Sequence, residues 1–117
     1  MAHEMNAGRE LDALIAEKVM GLAGVRDGKS WLYGDNWTYH KKGVLCLVPH
    51  YSTQIADAWQ VVEKMKEHGA DEHNGITIMY DENRWYVEFP LPSWEYAEAP
   101  TAPLAICLAA LKAVGDG

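Results

Sequence analysis

The sequence predicts an α+β domain, an antiparallel sheet with helices packed on it, in the order α-ββ(β)-α-ββ-α. Three observations carry this. Apolar residues recur at helical spacing in two segments, one over about residues 7–21 and one running from Ser52 or Thr53 to Gly69. After each, aromatic and β-branched residues gather in short runs separated by turn formers. The final apolar segment reads as a third helix, and three helices are enough to cover both faces of a sheet. With 117 residues, 49% of them hydrophobic and 23% charged, the chain fits a single domain over 1–117 with one core, residues 1–6 being expected as a flexible N-terminus.

In the first helix the stripe is Leu11, Leu14, Ile15, Val19 and Leu22, with Glu10, Asp12, Glu17 and Lys18 beside it, and Gly21 and Gly24 end it. Between Ser30 and Val48 two or three strands are expected, joined by turns at Gly34-Asp35-Asn36 and at Lys42-Gly43. Pro49 closes that region. Ser52 or Thr53 then offers an oxygen to the free amides of the central helix, whose stripe reads Ile55, Trp59, Val62 and Met65, which assigns Trp59 to the core. "ITIMY" and "RWYVEFPL", separated by Asp81, Glu82 and Asn83, predict a hairpin. Period 2 puts Trp85, Val87 and Phe89 on one face and Arg84, Tyr86 and Glu88 on the other, the face expected to meet solvent or a ligand.

Prolines 90, 92, 100 and 103 make the next stretch an expected irregular crossing. The last helix is apolar almost all round, with a smooth face of Ala105, Ala109 and Ala113. Such a helix is either sandwiched inside the domain or covered by another subunit, and a homo-oligomer through this face is expected.

Composition limits the function classes. Seventeen acidic residues against ten basic ones give a net charge of −7, which opposes direct binding of nucleic acid. The one basic cluster is His40, Lys41 and Lys42 at a hairpin turn. No window approaches the length of a membrane span, and the opening residues do not read as a secretory signal, so a soluble intracellular protein is expected. Cys46 and Cys107 lie far apart among aliphatic residues and are expected as buried reduced thiols.

Catalytic patterns are missing from the sequence. His68, Asp71, Glu72 and His73 are a local group of metal-ligand types, but their spacing fits no one helical face or known zinc pattern, so neither a metal nor a cofactor is expected. There is no G-x-S-x-G elbow. "GLAGVRDGKS" misses the phosphate-loop spacing by one residue and follows a helix rather than a strand. The chain therefore does not read as an enzyme.

"ELDALIAEKVMGL", "VPHYSTQIADAWQVVEKM" and "TAPLAICLAALKAVG" together resemble the phage ABA sandwich domain family, small proteins of bacteriophages and prophages. The resemblance covers the three helices and the turn before the central one. It implies an α-β-α sandwich and a phage context, and carries no activity or functional residue. Phages carry small proteins that sequester host signalling nucleotides or block host immune proteins, so the context implies a counter-defence role in the host bacterial cytoplasm.

Besides Trp59 and Phe89, ten tyrosines and tryptophans from Trp31 to Tyr96 are many for one small core, and strand alternation prevents all of them from pointing inward. The expected function is a non-catalytic accessory binding protein that sequesters a small nucleotide-like molecule in an aromatic-lined pocket. The residues expected to bind it are His50 and Tyr51 before the central helix, together with Tyr39, Lys41, Arg84 and Tyr86. The alternatives are an inhibitor docking on a host immune protein through its acidic surface, and a phage structural or assembly protein.

Overall fold

The computed structural model describes residues 5–67 and 75–115. The elements run α1 (Arg9–Lys18), β1 (Ala23–Ser30), β2 (Gly34–Lys41), β3 (Val44–Leu47), α2 (Ile55–Lys66), β4 (Thr77–Asp81), β5 (Arg84–Phe89), β6 (Glu95–Ala99) and α3 (Ala102–Val114). The α+β class is as expected, and the strands divide into two three-stranded antiparallel meanders, β1-β2-β3 and β4-β5-β6.

Local chemistry explains most boundaries. Lys42 and Gly43 both have positive φ, as do Glu82 and Asn83, so each pair makes a two-residue turn whose twist matches its flanking strands. The first hairpin differs from expectation. Gly34, Asp35 and Asn36 lie inside β2, and Trp31, Leu32 and Tyr33 form the turn. The expectation failed because β1, "AGVRDGKS", is mostly solvated and shows no apolar alternation. A register shift lies between Ala23 and Arg26, where Gly24 takes φ +70 and a side chain would meet His40 at 3.0 Å.

The helix α2 corrects two further expectations. Its N-cap is Gln54, with no side-chain cap, and Ser52 turns elsewhere. The buried stripe is Ala58, Val61, Val62 and Met65, which leaves Ile55 55% and Trp59 48% exposed. Val62 and Met65 belong to both possible stripes, and packing against α3 selects the one containing the small Ala58.

α3 is the central element. It contacts β5 and β6, α2 and α1, and α1 in turn contacts β1 and β2. Thr101 accepts from the Leu104 amide at 3.4 Å, Pro103 fits the first turn, and Gly115 closes the helix in the left-handed region. The crossing before it also differs from expectation: Glu95–Ala99 forms β6, paired along β5 from Phe89↔Glu95 to Trp85↔Ala99. Ala97 and Ala99 are buried beneath α3, and their small side chains allow the helix to approach closely.

Ala105, Ala109 and Ala113 are all buried within one chain. The face expected to bind a second subunit is thus covered from inside, and of the two readings of an all-round apolar helix the sandwiched one applies. Cys107 is buried, whereas Cys46 on β3 is only half-buried, and both thiols are free. His68, Gly69, Asp71, Glu72 and His73 fall outside the described residues, as do residues 1–4 of the expected flexible N-terminus, while Met5 packs against the core.

Candidate functional site

The six residues expected to bind a ligand separate into two neighbourhoods. The first is the strand-to-helix turn. The Val48 amide donates to the Trp37 carbonyl at 3.1 Å, and after Pro49 the carbonyl of His50 accepts from the amides of Thr53 and Gln54. The amide of His50 donates to Asp57 Oδ2 at 2.8 Å. A carboxylate from the first turn of α2 thus already stands where an incoming anion was expected. Tyr51 is 1% exposed, and burial, followed by the neighbouring Tyr39, pushes its hydroxyl well above the ordinary tyrosine value. It is a core residue. Tyr39 is half-buried on β2 beside Cys46, its hydroxyl also raised by burial, while Lys41 is exposed at the far end of that strand.

Beneath this turn lies a polar junction that no local pattern announces. Arg9 Nη1 meets Asp12 Oδ2 at 2.7 Å, Nη2 donates to the Val48 carbonyl at 2.6 Å and Nε donates to Asn36 Oδ1 at 3.1 Å. Asp12 Oδ1 accepts from the Ser52 amide at 2.7 Å and from its hydroxyl at 2.6 Å. The Ser52 oxygen accepts from the Gly8 amide at 2.9 Å. Asp12 and Ser52 are both fully buried, and the network contains no histidine. A substrate has no approach to the hydroxyl. The assembly is a joint tying α1 to β2 and to the turn before α2.

The second neighbourhood is the outer face of the β4-β5-β6 sheet. As alternation predicts, Val87 and Phe89 are buried, and Arg84, Tyr86 and Glu88 lie on the opposite face. Tyr86 stacks on Tyr96 with centroids 5.3 Å apart, and its hydroxyl donates to Glu88 Oε1 at 2.8 Å. That hydrogen bond, followed by burial, pushes the Tyr86 hydroxyl up to about 12. Arg84 Nε lies 3.7 Å from Glu98 Oε1. Arg84 and Tyr86 share a shallow depression of about 170 Å³ that also presents Asp81, Glu82 and Glu98. One guanidinium among three carboxylates is a poor phosphate site.

The remaining rings spread outward. Trp31, at the tip of the first hairpin, is 96% exposed, and Trp94, before β6, is 67% exposed. Trp59 and Ile55 present a patch on α2, and Met79 and Tyr80 are exposed on opposite faces of β4. Trp59 is the functional candidate that sequence reasoning missed, and the signal available for it was the second, overlapping stripe in α2. Among the described residues no three His, Cys, Asp or Glu side chains are grouped to hold a metal, and no helix is long and apolar enough to cross a membrane.

The family model of the phage ABA sandwich domain matches residues 13–111. A crystal structure of a phage protein from Bacillus cereus ATCC 14579 is similar at TM-score 0.69 and 29% identity, over 95% of this chain and 92% of that one. No curated protein matches.

Proposed function

Since the chain belongs to the phage ABA sandwich domain family, we propose that it is a non-catalytic accessory protein of the phage that acts by docking on a host protein, in a counter-defence role. The observation that supports this reading is the outward presentation of large rings on separate elements, led by Trp31 on a projecting turn. Exposed tryptophans of this kind supply contact area at little conformational cost and dominate protein interfaces when a partner desolvates them. The joint at Asp12 and Ser52 and the acidic depression at Arg84 offer little to a reacting substrate.

The test is recovery of host proteins by chemical cross-linking in infected cells, comparing wild type with Trp31→Ser. Because Trp31 is almost wholly exposed, the variant should keep its stability within about 0.5 kcal/mol and lose the cross-linked partner. A wild type that recovers no specific host protein overturns the reading.

The Tyr86–Tyr96 stack favours a second reading, sequestration of a small planar nucleotide-like ligand against those rings. Calorimetric titration with a nucleotide panel decides it. Binding abolished by Tyr96→Ala establishes it, and no heat with any member eliminates it.

A further inference from the structure

A groove of about 310 Å³ runs between α1 and the β1-β2-β3 sheet. Its floor is apolar, formed by Ala13 and Leu14 of α1 and by Val25 and Trp37 of the sheet. Glu10 and Glu17 stand on its α1 rim, seven residues and therefore about 10 Å apart along the helix. Asp27 is the register partner of Trp37, so its side chain leaves the sheet on the same face. None of the residues lining the groove is basic. The carboxylates of Glu10, Glu17 and Asp27 have no hydrogen-bonding or ionic partner among the described residues, although Arg9 and several lysines elsewhere are paired.

We propose that this groove is the docking site for a segment of a partner protein in which an apolar side chain is flanked on both sides by lysine or arginine. The inference rests on reading the chain as a protein-binding module and names the chemistry of its partner. The apolar side chain enters against Leu14 and Trp37, and burial there provides the attraction. The flanking bases meet Glu10 and Glu17, which are partly desolvated only once the segment is seated, so the pairs set register and selectivity more than affinity. The same three carboxylates repel a nucleic-acid backbone and an acidic peptide.

The experiment uses the full chain as bait for a displayed library of random dodecapeptides, with enriched peptides resynthesised and titrated by fluorescence anisotropy. Enriched sequences should carry an apolar residue between two bases. Their affinity should fall at least about tenfold for Glu10→Lys/Glu17→Lys, as like charges replace attraction across a partly buried contact, and should be unchanged for Trp31→Ser. Both rim residues are exposed, and unaltered far-ultraviolet circular dichroism of the double variant separates lost binding from lost fold.

Peptides that bind the double variant as well as wild type, but fail with Trp31→Ser or Trp59→Ser, overturn the groove and leave the docking function standing. Enrichment of no peptide at all overturns the groove, and with a negative cross-linking result it removes the docking function too. A wild-type dimer in light scattering that Glu17→Lys dissociates would give the groove to a second copy, whose Lys41, Lys42 and exposed Val44 carry the complementary chemistry, and would likewise overturn the assignment.

Discussion

The two sheets share a topology and differ in almost everything else. Each is a three-stranded meander with one two-residue turn of positive-φ residues, at Lys42–Gly43 in the first and Glu82–Asn83 in the second. In the second sheet Val87, Phe89, Ala97 and Ala99 are buried against α3. Among the described residues of the first sheet's strands only Thr38 is buried, and α1 is the helix that covers the sheet. Charge separates them as well: residues 23–47 carry four bases and two acids, residues 77–99 one base and five acids. A shared strand plan therefore does not make a shared role. The sheet that meets α3 through small residues becomes part of the core, and the one held by a polar joint projects its first turn, with Trp31, to solvent while Trp37 and Tyr39 stay half-buried.

The largest effect that would sharpen this contrast is expected at Phe89. Phe89→Ala should destabilise the protein by about 3–5 kcal/mol, the usual result of emptying a fully buried aromatic site, as read by urea denaturation. A loss near that of an exposed residue would mean that the second sheet is not the stable half. Next comes the joint. Asp12→Ala removes the charged partner of Arg9 and the acceptor of Ser52, and a loss of about 3 kcal/mol is expected for breaking such a buried pair. Hydrogen exchange adds the discriminating readout: amides of β2 and β3 should lose protection while those of β5 keep theirs. Equal loss in both sheets would break the distinction drawn between them.

The smallest effect concerns pH. With the Tyr86 hydroxyl raised to about 12 from its ordinary value of 10.0, the folded state holds that proton more tightly than the unfolded chain. Its contribution to stability is complete below pH 10 and is lost as the pH rises towards 12. Tyr86→Phe should flatten the decline in that window relative to wild type, and identical slopes would mean the contact with Glu88 does not form in solution.

The legibility of these features in the sequence follows their range. The existence of the three helices, the two-residue turns and the alternation in β5 depend on neighbours within a few positions, and each was readable. So was β6 in principle, since Glu95, Ala97 and Ala99 alternate with Tyr96 and Glu98, but the flanking prolines hid it. The orientation of Trp59 was not readable, because two stripes in α2 share Val62 and Met65 and only the position of α3 decides between them. The joint was beyond reach, since Asp12 and Ser52 are 40 positions apart. The candidate surfaces were half legible: an excess of rings was evident, but which of them turned outward depended on packing.

The placement of α3 also has a consequence for biosynthesis. The element against which α1, α2, β5 and β6 all pack follows all four of them in the sequence, at residues 102–114. Until it has left the ribosome, Val87, Phe89 and the buried face of α2 lack their helical partner, so the core of this domain closes only after residue 114 has been synthesised. A chain cut short before Ala102 leaves those apolar faces open to solvent.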